Sequence, residues 1–299
     1  MFDRASTAYF LLSDTCFQRD RYVDALAYLE QALALSRKAG NRLGELEVLS
    51  EMTYPLYMTG RWAETLAKFA EIPEDQIRAA GIILSPLTSV LEIRIHRGDL
   101  AAAEQLFDLY TRLKDSADVQ ERACYAAALA ALRRGQGRYA EALEAALEGL
   151  ERGRAMSPHS LTVQPVKQAL VEGIEAALVI GDRATAEALL ASVQSVPRGR
   201  RSAYLDAQWR RLSARIAGSD SADELFRAAA AGFRELGLPF WLAVASTEHG
   251  EWLTAQDRDH EAEALLMEAR EVFTQLGASP WEQRAAAGAA GERQPALAT

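Results

Sequence analysis

Seven times along the chain, at intervals of about 40 residues, a small residue is followed four positions later by a second, usually large and apolar, and three later by a third that is small or apolar. The set is Ala25-Leu29-Ala32, Thr65-Phe69-Ile72, Ala103-Phe107-Tyr110, Ala142-Ala146-Gly149, Ala186-Leu190-Val193, Ala222-Phe226-Ala229 and Ala262-Leu266-Ala269. Spacings of four and three put the three residues on one face of a helix. A face of small residues lets a second helix approach closely. Recurrence at this period marks an array in which each unit buries its apolar face against the next. The expected fold is all-α, an α-solenoid of about seven helical hairpins. Arrays of this kind hold other molecules more often than they transform them.

Turn chemistry divides each unit into two helices. Gly60-Arg61-Trp62, Gly98-Asp99-Leu100, Gly137-Arg138-Tyr139, Gly181-Asp182-Arg183 and Gly218-Ser219-Asp220 combine a helix-ending Gly with residues that open a new helix. The first and last units use Asp20-Arg21-Tyr22 and Gln256-Asp257-Arg258 instead. Pro73 shortens the second helix of unit two, and Ser85-Pro86 predicts a break in the stretch Gln76 to Arg97. Met156 to Ser160 lengthens one connection, and the basic stretch Arg198 to Arg201 reads as an exposed loop. After Trp281 the chain becomes rich in Ala, Gly and polar residues. The expected organisation is a repeat domain over 1–284 and a disordered tail over 285–299.

The net charge of −9 argues against a phosphate-tracking surface, so direct nucleic-acid binding is not expected. Arg133-Arg134, near Glu141 and Glu144, reads as a solvated face. No apolar run approaches the length of a membrane span. The start of the chain lacks the regions of a signal peptide. Cys16 and Cys124 lie in apolar helical stretches and read as buried free thiols. Together these features predict a cytoplasmic protein.

The motifs that carry chemistry are missing from the sequence. There is no GxxxxGK[ST], no GxGxxG after a strand, no CxxC and no HExxH, so neither cofactor, metal site nor catalysis is expected. His96, His159, His249 and His260 are scattered, and Glu45 with Glu47 reads as a pair of exposed solvating charges. Tyr22, Trp62 and Tyr139 share the second position after the turn and are expected to pack between helices. Tyr9, Tyr54, Tyr125 and Trp209 lie on first helices, as do Arg94, His96 and Lys167. First helices line the concave surface of stacked hairpins, so these seven are the candidate contacts for a protein or peptide partner. Phe240, Trp241, Trp252, Phe273 and Trp281 read as an aromatic cap sealing the last unit.

The stripe, with the turn Gly-Arg-Tyr-Ala-Glu-Ala at Gly137 to Ala142, resembles the tetratricopeptide repeat, although the period exceeds that family's usual length. Further segments are Asp118 to Ala123, Phe233 to Ala243, Glu248 to Leu253 and Leu276 to Trp281. These resemble the C-terminal helical region of bacterial signalling ATPases. That group includes class III adenylate/guanylate cyclases fused to an AAA-type ATPase and the LuxR-type ATP-dependent regulators. The resemblance implies a right-handed superhelix serving as a sensor or scaffold arm. Such an arm receives a protein, a peptide or a small effector and restrains an ATPase or cyclase domain, which is itself a candidate partner. The chain has no nucleotide motif, no cyclase segment and no helix-turn-helix, so any such activity is expected to reside elsewhere. Oligomeric state has no signal in the sequence.

Overall fold

A computed structural model describes residues 2–79, 83–156, 160–197, 201–217 and 219–289. They form sixteen α-helices and three short 3₁₀ turns, with no strand among the described residues. The first half contains α1 (Phe2–Gln18), α2 (Tyr22–Ala39), α3 (Arg42–Met58), α4 (Trp62–Ala70), α5 (Glu74–Ala79), α6 (Val90–His96), α7 (Leu100–Asp108) and α8 (Val119–Gly135). The second contains α9 (Tyr139–Met156), α10 (Gln164–Val179), α11 (Arg183–Gln194), α12 (Ala203–Ala214), α13 (Ser219–Glu235), α14 (Pro239–Ala255), α15 (Asp259–Leu276) and α16 (Ser279–Ala289). Helices pack in consecutive pairs, with α1 on α2, α8 on α9, α12 on α13 and α14 on α15.

The stripe residues are buried in every copy except at Phe69, which is half-buried. Their small size is used directly: a Cβ on Gly149 would lie 3.2 Å from Ala169 Cβ. Gly60, Gly98, Gly137 and Gly181 all take positive φ at the turns, and Asp20 (φ 57°) and Asp257 (φ 59°) take the same backbone. Asp99 and Asp182 cap the following helices, accepting from Ala102 N and Thr185 N at 3.1 and 3.0 Å. Gly218 lies outside the described residues. The expected break is present, because a 3₁₀ turn at Ser85–Leu87 separates α5 from α6.

The two helices of a pair differ in burial. The second helices bury one stripe and leave the rest to water. By contrast α3, α8, α10 and α14 are buried over most of their surface. They form the interior of the molecule, and they position the site described below.

Two findings depart from the sequence reading. The units do not contact only their neighbours. Asp20, in the first turn, accepts from Ser202 Oγ (2.7 Å), from Tyr204 N (3.0 Å) and from Lys167 Nζ. Arg97 Nε donates to Leu276 O at 3.0 Å. The aromatic group near the C-terminal end is therefore a joint, not a terminal cap. Phe240 lies 5.2 Å from Trp62 and 4.2 Å from His96, centroid to centroid, and Trp281 Nε1 donates to His96 Nδ1 at 3.2 Å. Trp252 stands apart from it, beside Phe226 and His249. The second departure is at the tail, where α16 continues to Ala289 and buries Ala285, five residues into the segment expected to be disordered. Residues 290–299 lie outside the described residues.

Candidate functional site

The interior helices border a cavity of about 460 Å³. Its walls come from α1 (Phe10, Asp14, Phe17), α3 (Glu47, Glu51, Tyr54), the Ser85–Thr88 turn, the start of α8 (Asp118, Glu121, Cys124) and the start of α10 (Gln164, Lys167). Apolar and aromatic surface thus alternates with carboxylates, as in pockets that enclose a small molecule.

Charge in this cavity is one-sided. Glu47 and Glu51 lie one turn apart on α3 and face it together. Glu51 Oε1 accepts from Ser85 Oγ at 2.9 Å. Burial, reinforced by Asp14 and Glu47, pushes the Glu51 carboxyl up to about 7, and burial also raises Glu47. The lysine of the wall gives little compensation. Lys167 is 2% exposed and donates to Asp20 Oδ1 and to Phe17 O. Its charge is matched by an aspartate that also receives Tyr22, Ser202 and Tyr204.

Behind Tyr54, Thr88, Gln164 and Lys167 lies a smaller chamber of about 20 Å³, which shares those four residues with the main cavity. Gln164 Nε2 donates to Thr88 Oγ1. Within the chamber wall, Gln168 Nε2 donates to Glu92 Oε1 at 2.7 Å, while Glu92 Oε2 and Gln168 Oε1 have no hydrogen-bond partner. Glu92 is 4% exposed. His96 Nε2 stands 3.3 Å from Glu92 Oε2 without hydrogen-bond alignment. Arg134 lies 4.0 Å from the same oxygen but directs its hydrogen bonds to Glu172.

A ladder of ion pairs continues through the interior. Arg211 bridges Glu175 and Glu248, Arg215 joins both, and Arg284 pairs with Glu251 through two bonds of 2.7 Å. Burial opposes the charge on Glu175, but Arg211 and Arg215 hold its carboxyl well below the usual range. These groups pair with one another, and Glu248 Oε2 alone among their carboxylate oxygens is buried without a hydrogen-bond partner.

The sequence candidates separate. Tyr54 and Lys167 line the cavity. His96 sits in the aromatic joint, 2% exposed. Tyr9 stacks on Tyr28, Tyr125 packs on Phe107, and Trp209 packs against the main core. Arg94 donates to Ala102 O with its guanidinium over Phe69. Tyr22 and Trp62 are buried between helices as expected, whereas Tyr139 is half-buried. Two readings of charge need correction. Glu47 is a half-buried wall of the cavity, not a solvating charge, and Arg134 pairs with buried Glu172. The missed signal was the four-residue spacing of Glu47 and Glu51 in a helix whose other residues are largely apolar.

Nucleophilic chemistry has no visible support at this site. Cys124 is 4% exposed, and burial pushes its thiol up to about 12, so the thiolate needed for attack does not form at neutral pH. His249 is engaged elsewhere, with Asp223 at 2.9 Å. No cluster of three or more metal-ligating side chains gathers among the described residues, and no helix there is long and apolar enough to cross a membrane. A scan of protein-family models finds no match to the chain, and a search of curated proteins finds none either.

Proposed function

We propose that the protein is a non-catalytic sensor, a right-handed solenoid of tetratricopeptide-like hairpins that encloses a small effector. In this reading it serves as the sensing arm of a bacterial signalling ATPase, cyclase or transcription regulator. The observation that carries it is the cavity of about 460 Å³ lined by α1, α3, α8 and α10. An open groove for a peptide needs polar and aromatic side chains accessible over several units. Here Tyr54, His96 and Lys167 are buried, which favours an enclosed ligand over an extended one. Occupancy would bias the packing of α1 against α10, and through Asp20 the position of α12.

A protein partner is the second reading. It is favoured by Leu11 (60% exposed), Leu12 (45%) and Leu43 (58%) near the N-terminal end, which give an apolar surface for an ATPase or cyclase domain. The deciding test is a thermal-shift screen of the purified chain against a library of small metabolites, run beside a pull-down from bacterial cytoplasm. A metabolite class that raises Tm by several degrees supports the sensor. No shift with any metabolite, together with specific capture of one protein, overturns it.

A further inference from the structure

We propose that the cavity and its inner chamber form one site for a small aliphatic amine with two or more ammonium groups, one group held at Glu47 and Glu51 and another end donating to Glu92 and Gln168. The inference rests on the sensor reading and names the chemical class of its effector.

Three independent observations converge on it. First, the main cavity carries Asp14, Glu47, Glu51, Asp118 and Glu121 and a single cation, Lys167, which Asp20 already neutralises. An ammonium is the complement that this wall lacks. Second, two acceptors in the residues that line the inner chamber lack an aligned donor, although His96 Nε2 stands 3.3 Å from one of them. Glu92 Oε2 and Gln168 Oε1 are both unpartnered, and a buried acceptor left unmade costs about 1–3 kcal/mol. An anion or a bare carbonyl ligand cannot satisfy them, whereas N–H and O–H donors can, and the acidic wall selects the charged donor of the two. Third, Phe10, Phe17 and Tyr54 give the cavity the apolar and aromatic surface that suits methylene chains and the faces of cations. The two spaces share Tyr54, Thr88, Gln164 and Lys167, so the ligand is elongated, charged at intervals, and reaches inward past the Gln164–Thr88 bond.

Protonation of Glu51 opposes binding. Ser85 in its turn, Asp14 on α1 and Glu47 on α3 act on that carboxyl, and Asp118 and Glu121 at the start of α8 and Lys167 on α10 share its cavity. Amine affinity therefore rises as the pH climbs through about 7.

The test is isothermal titration of the full chain with spermidine and 1,5-diaminopentane, with 1,5-pentanediol and glutarate as the neutral and anionic controls. Salt at about 0.15 M screens attraction to the acidic surface. The expected result is one-to-one binding of the amines alone. Glu51→Gln and Glu92→Gln should each weaken it about tenfold or more, the loss of one charge-assisted contact. The surface variant Glu263→Gln should leave it unchanged. Should Glu92→Gln not fold, Glu47→Gln and Glu51→Gln carry the same comparison. Amine binding insensitive to Glu47 and Glu51, or binding of a lysine-rich peptide but not of the free amines, overturns the proposal. If the amines fail while another metabolite class stabilises the chain, the amine inference falls and the sensor reading stands. If no small molecule binds, both fall.

Discussion

Asp20 and Asp257 occupy the left-handed turn position that glycine holds in the other described hairpin turns, but for different reasons. Asp257 has only the backbone bond from its own N–H to Thr254 O to record, so its side chain is replaceable. Asp257→Gly should change stability by less than about 1 kcal/mol, in the stabilising direction, since glycine relieves the backbone. Asp20→Gly relieves the same backbone yet strips buried Lys167 of its counter-charge and Ser202 and Tyr204 of their acceptor. Its cost should be about 3–5 kcal/mol. Urea denaturation of the two variants compares them directly. Glu51 gives a pH signature. Its carboxyl holds a proton more tightly in the folded chain than in the unfolded one, about 7 against 4.5. That contribution is fully present below about 4.5 and is lost as the pH rises through about 7. Glu51→Gln keeps an acceptor for Ser85. It should stabilise the fold at pH 8 by up to about 2 kcal/mol once solvent screening of a half-buried group is allowed for, seen as a raised Tm, and leave Tm nearly unchanged at pH 5. The Asp turns were legible in the sequence. The work of Asp20 was not, because its partners stand 147 to 184 positions along the chain and follow no period.

Second helices were easy to read and first helices were not, and burial explains the difference. A helix that buries one stripe, such as α13 with Ala222, Phe226 and Ala229, displays its face as a period. A helix buried nearly all round, such as α3 or α14, has no polar side to mark orientation. For α3 this hid the side that carries Glu47, Glu51 and Tyr54 into the cavity. The same density of packing gives glycine a role inside helices. A Cβ on Gly250 would stand 2.7 Å from Leu266 Cγ, a stripe residue of the next helix. Gly250→Ala should therefore cost about 1–2 kcal/mol, the strain exceeding alanine's better helix propensity. Chemical denaturation measures this, and a stabilised variant would show that α14 and α15 are packed less tightly than the distances state.

At the scale of the whole molecule, the aromatic joint ties early helices to late ones. His96 accepts from the Trp281 indole, so its Nδ1 carries no proton in this arrangement. Burial holds the imidazole below its ordinary 6.5, against the pull of Glu92, and Arg134 adds to the depression. The stability this brings is present above about 6.5 and is lost as the pH falls below it, because the unfolded chain then takes up the proton. The protection factors of the α6 and α16 amides, taken against the intrinsic exchange rate at each pH, should fall together between pH 7 and pH 5. Trp281→Ala should cost about 3 kcal/mol and increase the radius of gyration in X-ray scattering, since it releases a contact between distant parts of the chain. An unchanged radius would mean that Asp20 and Arg97 alone hold the molecule closed.

The reach of Asp20 also sets an order of events during synthesis. The hairpin of α1 and α2 leaves the ribosome well before α10 and α12, carrying an aspartate whose donors at Lys167, Ser202 and Tyr204 have not yet been made. At typical elongation rates that interval is roughly ten seconds or longer. Until then Asp20 remains hydrated, and one side of the future cavity has no wall. The α1–α2 hairpin thus waits for partners made long after it, and a nascent chain interrupted before Tyr204 leaves Asp20 short of a donor, however well its individual hairpins have formed.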